Sequence, residues 1–440
     1  MKKVFSFWSV FVLSIIVFCS CSDDDSNNNN SGGGGNEGGD TEIIDKQFLE
    51  DTGKEFVGMF TAEQAAPYTS IINVIKESST KEIDEDIDDI IDGLTSRIGT
   101  NPDVYKYAIM ATAFNGTYRL KNDGKWYKEA GNSLRAEFND DKGRQCVLTV
   151  NTSGETKNVI IYEENDYDWK YNPDTNNYEK YLDEKNRYEV ELPSHIECLL
   201  TQNGSQLVNV DVNLDLSKLT AGQKVDLSRN SLTFNCTANF VGVAKINVTK
   251  ASYQAQGTSE VNFNVEKNGK TIITANATSY SNLTGAPEEI DDKQLKKITN
   301  TKLSMDILGK VQIEGTCSNI SSLIDVLDDA DHDDENEQAV RQYVDQANNL
   351  VDAKVYYNKD YSNVRATLKF DVDYKEHYYY YNGYDYRWTE YFPTTSIKFA
   401  DGTSYFMEKY FTEDAFKSLV DMFNDLTDKV EKQIDKDEKH

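Results

Sequence analysis

The segment VNVDVNLDLS, residues 208–217, alternates apolar and polar residues without interruption. A period of two places the apolar side chains on one face of a β-strand and the polar side chains on the other. Antiparallel sheets that are packed on one face and solvated on the other have this composition. The segment therefore predicts an antiparallel sheet.

Other segments extend this pattern along the chain. Apolar and polar residues also alternate in residues 232–240, 246–248, 261–265 and 364–374. Asn-Gly pairs occupy positions 203–204, 268–269 and 382–383. An Asn-Gly pair between alternating runs is a strong signal for a two-residue hairpin turn. We expect residues 115–320 to form an antiparallel meander that is long enough to curve into a half-barrel.

Amphipathic helices are predicted on both sides of this meander. In residues 41–114, isoleucines recur at helical spacing between Ile83 and Ile98. Residues 321–440 contain a predicted helix that ends near Val351, then Tyr-rich strands, then a C-terminal helix capped by Thr412. This order predicts an α+β fold, with a large antiparallel sheet packed against amphipathic helices. Whether the body is one domain or two stays open.

The first twenty residues have the composition of an export signal. Lys2 and Lys3 precede a short apolar run that ends at Phe18. Ser20-Cys21 resembles the lipobox of bacterial lipoproteins, in which a small residue precedes the cysteine that is lipidated. An uncleaved anchor helix is the alternative interpretation. The resemblance implies that residues 1–20 are a signal peptide and that Cys21 becomes the lipidated N-terminus.

The residues after Cys21 suggest a cellular location. Cys21 is followed by Ser22, Asp23, Asp24 and Asp25, which resemble the acidic export signal of surface lipoproteins in Bacteroidetes. This resemblance implies attachment to the outer membrane with the body exposed at the cell surface. The rest of residues 21–40 is Asn, Gly, Ser and acid, so we expect a disordered tether.

The composition limits the classes of partner. The formal net charge is −29, with 75 acidic against 46 basic residues. Such a chain repels nucleic acids and anionic membrane surfaces, so we expect no nucleic-acid partner and membrane attachment through the N-terminal lipid only. The sequence contains no phosphate-binding Gly-rich loop and no Gly-x-Ser-x-Gly motif, and we predict no cofactor.

Cysteine and histidine give little indication of chemistry. The cysteines of the body are Cys146, Cys198, Cys236 and Cys317. Their spacing matches no zinc motif, and each adjoins an apolar run, so buried thiols are expected, with one or two disulfides as the alternative. The four histidines form no close pair in the sequence. His195 follows Leu192-Pro193-Ser194, interpreted as a turn, and is expected to be structural.

One acidic segment resembles the start of a calcium-binding loop. Its acids alternate at Asp329, Asp331, Asp333 and Glu335. However, Asp334 replaces the glycine of the sharp turn, and Val340 stands where the bidentate glutamate belongs. We therefore predict a solvated acidic loop that leads into a helix, and calcium binding is kept as a weaker hypothesis.

Two Tyr-rich hairpins form the candidate ligand platform. One turns near Asn172-Pro173-Asp174 and carries Trp169, Tyr171 and Tyr178. The other turns at Asn382-Gly383 and carries Tyr379, Tyr381, Tyr384, Tyr386 and Trp388. Cross-strand aromatic pairs stabilise hairpins, which is the structural interpretation. The functional interpretation is an aromatic platform that stacks on sugar rings or binds a protein.

These observations predict a non-catalytic, outer-membrane-anchored surface lipoprotein with a binding or envelope-structural role. Its expected ligand is a glycan or a protein, bound through the Tyr-rich hairpins. The alternative is a carrier of a hydrophobic ligand in a cavity between the curved sheet and the helices. A carboxylate-based hydrolase ranks third, because 75 acids make a close pair of carboxylates common by abundance alone.

Overall fold

The computed structural model describes residues 40–79, 115–173, 177–223, 232–254, 256–282, 297–332, 335–381, 384–400 and 402–406. These residues form sixteen strands of mostly antiparallel sheet and four helices, which confirms the α+β prediction. They divide into two compact units. We call residues 65–256 the continuous unit, and the described residues within 40–64 and 257–406 the discontinuous unit.

The continuous unit holds most of helix α2 and eight strands. Their bounds are α2 (Ala62–Ser79), β1 (Gly116–Leu120), β2 (Trp126–Glu129), β3 (Leu134–Asn139), β4 (Gln145–Asn172), β5 (Asn177–Gln202), β6 (Ser205–Asp215), β7 (Leu232–Phe240) and β8 (Ala244–Tyr253). The strands lie in the order β2-β1-β3-β4-β5-β6-β7-β8. The predicted hairpin turn at Asn203-Gly204 is confirmed, with both residues at positive φ.

One strand pair of this unit departs from the predicted antiparallel meander. Strands β1 and β3 are parallel, because the chain returns past β1 after the short β2 hairpin. Gly131 lies on this return, where a Cβ atom would be 3.2 Å from the Cα of Gly116. The absence of a side chain lets the two backbone segments pass this closely.

The discontinuous unit holds three helices and eight strands. Their bounds are α1 (Asp40–Val57), β9 (Gln256–Lys267), β10 (Lys270–Asn282), β11 (Ile298–Ile307), β12 (Val311–Asn319), α3 (Ile320–His332), α4 (Glu337–Leu350), β13 (Val351–Tyr357), β14 (Ala366–Tyr381), β15 (Tyr384–Phe399) and β16 (Ser404–Phe406). The strands follow one another in chain order, and every neighbouring pair from β10 to β16 is antiparallel.

Helix α1 covers the apolar face of this sheet. Val57 belongs to a buried cluster with Ile313 and Phe399. Phe48 stacks on Tyr357 with ring centroids 4.5 Å apart, and the Tyr357 hydroxyl donates a hydrogen bond of 3.0 Å to a backbone carbonyl of α1. The prediction that amphipathic helices pack on the sheet is confirmed for α1.

Helices α3 and α4 cover a second part of the same unit. Ile320, Leu323 and Ala347 are fully buried in one cluster, and Val340 packs with Val344 and Val372 in another. The predicted helix that ends near Val351 therefore corresponds to α4, whose apolar residues Val340, Val344 and Ala347 are buried.

Two element boundaries near these helices differ from the predictions. Helix α4 ends at Leu350, and Val351, which was predicted to end the helix, begins strand β13. The helical stripe and the strand alternation share this apolar position, so periodicity alone cannot separate them. Helix α3 continues to His332, although a loop was predicted from Asp329, because Ala330 extends its buried stripe.

A third correction concerns Leu192-Pro193-Ser194. These residues lie inside strand β5 and do not form the predicted turn. Pro193 pairs with Thr156, beside a break in register between Ser153 and Thr156. A strand tolerates proline at such a bulge, because the regular ladder is already interrupted there. The predicted helices at residues 83–98 and after Thr412, and residues 1–39 including Cys21, lie outside the described residues.

Candidate functional site

Strands β4 and β5 extend far beyond their neighbours in the continuous unit. Strand β3 pairs with β4 only as far as Val150, and β6 pairs with β5 only from His195 onward. Loop residues 222–223 add backbone hydrogen bonds to β4 at residues 158–160. Further along, β4 and β5 continue to pair with each other. We call residues 161–189 the first arm; its strands run for about 40 Å at 3.3 Å per residue.

The predicted aromatic residues of the first arm share one face. Tyr171 lies opposite Tyr178, and Trp169 lies two residues before Tyr171 and opposite Lys180. The exposed fractions are 58% for Trp169, 46% for Tyr171 and 62% for Tyr178. The two tyrosine rings meet edge to face, with centroids 5.4 Å apart and an interplanar angle of 62°. This geometry fixes both rings relative to each other and leaves much of their surface in water.

Polar side chains lie on both faces of the ribbon near these rings. Asn172 and Asn177 are paired across the end of the arm, and Lys170 and Lys180 are exposed. The side-chain oxygen of Asn177 accepts a hydrogen bond of 3.0 Å from the backbone N–H of Tyr178. By the strand register, Lys180 shares the face of the three rings, whereas Lys170, Asn172 and Asn177 lie on the opposite face. The aromatic face therefore combines flat apolar surfaces with an ammonium group. This combination suits a ligand that has both apolar faces and hydroxyl or carboxylate groups.

Strands β14 and β15 form the second arm, residues 374–391. Tyr379 is opposite Tyr386, and Tyr381 is opposite Tyr384. Trp388 lies on the same side of the ribbon as Tyr386, two positions away. The register thus brings all five predicted positions to one face of the hairpin. Only the side chains of Tyr379 and Trp388 belong to the described part, and they are 54% and 45% exposed.

A histidine that the sequence analysis did not assign joins this second group. His377 lies opposite Trp388 and stacks on its indole, with centroids 4.7 Å apart and planes 7° apart. Its Nε2 atom is hydrogen-bonded to Glu390. One face of Trp388 is therefore covered by the imidazole, so the first arm has the more accessible tryptophan.

The opposite face of the second arm also carries tyrosines. Tyr374 and Tyr378 are exposed, and the guanidinium of Arg387 lies 5.3 Å from the Tyr378 ring centroid. Tyr374 packs against Tyr391, which contacts the buried cluster under α4. This face is a continuation of the core face and was not part of the predicted platform.

Two neighbouring grooves open beside α4 in the discontinuous unit, with volumes of about 510 and 340 Å³. Asn348 and Lys369 line both. Hydroxyl, amide and charged side chains make up most of the lining of the larger one. Such walls do not favour the predicted hydrophobic ligand.

The acidic segment that resembles the start of a calcium-binding loop is partly helical. Asp329 and Asp331 lie two residues apart in helix α3, where residues at this spacing do not face each other; Glu335 follows the helix, and Asp333 lies outside the described residues. No group of three metal-binding side chains occurs in the part of the chain that the structure describes.

All four cysteines of the body are free thiols, and burial raises the pKa of each.

The structure also brings together a set of side chains that the sequence analysis missed. The two ring nitrogens of His195 contact Ser153 and Asp211, at 2.7 and 2.8 Å respectively. Ser153 is 42 positions and Asp211 is 16 positions away from His195 in the chain. The three side chains meet only through the strand register. No local motif signals such an arrangement.

Comparisons with protein-family models, with curated proteins and with solved structures find no significant match for this chain. Among the described residues, no helix is both long and apolar enough to traverse a bilayer.

Proposed function

We propose that this chain is a lipid-anchored outer-membrane protein that binds a glycan at the cell surface through the aromatic face of the first arm. The exposure of Trp169, Tyr171 and Tyr178 on one face of a two-stranded ribbon carries the proposal. Burying large aromatic surface is favourable, and a group of exposed aromatic side chains on one face of a strand pair is a candidate interaction site.

The chemistry around the rings favours a glycan. Sugar rings present C–H faces that pack on aromatic rings, and hydroxyl groups that hydrogen-bond to amides and ammonium groups. Lys180 offers an ammonium group on the aromatic face, opposite Trp169 in the register. The lipobox resemblance at Cys21 and the acidic residues after it support the surface location.

Glycan arrays probed with the full-length protein test this proposal. The wild type is expected to bind a defined set of oligosaccharides, and Trp169→Ala and Tyr178→Ala are expected to lose at least tenfold in signal. Tyr280→Ala is the matched control, because Tyr280 is a comparably exposed tyrosine on strand β10. Binding that is unchanged in Trp169→Ala, or lost equally in Tyr280→Ala, would contradict the proposal.

A further inference from the structure

Ser153, His195 and Asp211 lie on the adjacent strands β4, β5 and β6 of the continuous unit. Ser153 Oγ is 2.7 Å from His195 Nδ1, and His195 Nε2 is 2.8 Å from Asp211 Oδ2. Both distances are those of good hydrogen bonds. A serine, a histidine and a carboxylate joined in this series are the groups that activate a serine hydroxyl as a nucleophile, whatever the fold that carries them.

The local backbone holds Ser153 at the edge of a bulge. The β4–β5 register shifts between Ser153 and Thr156, and Gly154 has φ of +84°. This φ favours glycine, and a Cβ atom at residue 154 would lie 2.2 Å from the present position of Ser194 Oγ. Bulges turn side chains away from the regular ladder and are common beside active sites. Ser153 is exposed at this position.

The carboxylate is held on its other side by amides. The Oδ1 atom of Asp211 accepts a hydrogen bond of 2.8 Å from Asn213 Nδ2, and that same amide lies 3.1 Å from Asn235 Oδ1 on strand β7. These contacts keep Oδ2 directed to the imidazole. With Nε2–H donating to Asp211, the neutral imidazole presents the Nδ1 lone pair to the Ser153 hydroxyl.

We propose that Ser153 is the nucleophile of an esterase site that hydrolyses short acyl esters. His195 is the general base, and Asp211 and Asn213 are positioning residues. The side chains of His195 and Asp211 are 31% and 40% exposed, so the site opens on the strand surface. A short acyl group such as acetyl reaches Ser153 Oγ there without a deep acyl pocket. This activity goes beyond the proposed glycan binding and does not depend on it.

The reaction balances with water as the only co-reactant. Ser153 Oγ bonds to the acyl carbon while its proton passes to His195 Nδ1, and the C–O bond to the leaving alcohol breaks as that alcohol takes the proton. Water then bonds to the acyl carbon and gives a proton to His195 Nδ1. The bond between the acyl carbon and Ser153 Oγ breaks as Oγ takes that proton, which releases the carboxylic acid.

Hydrolysis of 4-nitrophenyl acetate and labelling by a fluorophosphonate probe test the site on the full-length protein. We expect the probe to be found on Ser153 by peptide mass spectrometry. Ser153→Ala should abolish the labelling and lower the rate at least 100-fold. Asp211→Asn should lower kcat at least tenfold with KM unchanged, an effect that a purely structural role would not produce.

Ser205→Ala is the control, because Ser205 is an exposed serine at the start of β6 without a histidine neighbour in the register. It should leave the rate and the labelling unchanged. Circular dichroism checks that each variant folds, and His195→Gln gives a second variant at the site. A wild type that is neither labelled nor faster than buffer, or a Ser153→Ala variant with wild-type rate, would overturn the proposal.

Discussion

At the residue scale, the carboxylate of Asp140 is closely constrained, because its side chain is fully buried. It accepts hydrogen bonds from Arg144 Nε at 2.7 Å, from Gln202 Nε2 at 2.7 Å and from Ser70 Oγ at 3.0 Å. Burial alone raises the pKa of this carboxyl group, but the hydrogen bonds from Arg144, Ser70 and the backbone outweigh it and lower the pKa below 3.8. The network attaches helix α2 to the β3–β4 turn.

Asp140→Asn is expected to lower the free energy of unfolding by about 2 kcal/mol at pH 7, because the charge-assisted hydrogen bonds are lost. A carboxyl group with a lowered pKa stabilises the folded state above its ordinary pKa, and this contribution disappears as the pH falls through the folded-state pKa. The difference between wild type and variant should therefore shrink below about pH 4. Urea unfolding at several pH values measures it.

Asp141→Asn is the control for this prediction. Asp141 is exposed and accepts one hydrogen bond from Asn73. Its loss should change the free energy of unfolding by less than about 0.5 kcal/mol. Equal effects of the two substitutions, or a difference that grows in acid, would contradict the assigned role of Asp140.

At the element scale, the side chain of Asn348 in helix α4 hydrogen-bonds to the backbone of strand β14, as a neighbouring strand would. Its Nδ2 donates to the Phe370 carbonyl and its Oδ1 accepts from the Phe370 N–H, both at 2.9 Å. The pairing of β13 with β14 ends at Ala353 and Leu368, so β13 does not pair with Phe370. One amide side chain thus satisfies the donor and the acceptor at the base of the second arm.

Asn348→Ala is expected to destabilise the protein by about 2 kcal/mol, because two partly buried backbone groups lose their partner. Hydrogen exchange at the Phe370 amide should accelerate strongly. Asn349→Ala changes the exposed neighbour and should alter neither quantity. Unchanged protection of the Phe370 amide in Asn348→Ala would show that α4 does not hold this strand.

The limits of sequence reasoning are clearest at this scale. The alternation at residues 208–216 and the Asn-Gly turns report local geometry, so β6 and its neighbouring hairpins were predicted. Strand β13 was missed because Val351 fits both a helical stripe and a strand. The contact of Ser153 with His195 depends on the register of two long strands with a bulge, and no local pattern encodes that register.

The two aromatic arms also combine features that the sequence predicted with features that it did not. The sequence predicted that Trp169, Tyr171 and Tyr178 belong to one hairpin, because they flank a turn signal. The sequence did not reveal that β4 and β5 extend beyond their neighbouring strands, because this depends on where those neighbouring strands end. It also gave no sign that His377 covers one face of Trp388, which makes the two hairpins unequal as candidate sites.

At the scale of the whole molecule, the proposed membrane attachment depends on a single residue, Cys21. Cys21→Ser should move the protein from the membrane fraction to the soluble fraction of the producing bacterium, because the acidic body gains nothing from anionic headgroups. Detergent partitioning and mass spectrometry of the N-terminal peptide measure this. Substitution of Cys19 by serine is the control and should leave the protein in the membrane. A membrane-bound Cys21→Ser variant would contradict the lipid anchor.

The central claim is that the aromatic face of the first arm contacts the ligand directly. Titration calorimetry of the full-length protein with an oligosaccharide selected on the array tests it. We predict that Trp169→Ala raises Kd at least tenfold, about 1.4 kcal/mol, while Tyr280→Ala leaves Kd within twofold of the wild type. A Trp169→Ala variant that keeps the wild-type Kd would contradict the account.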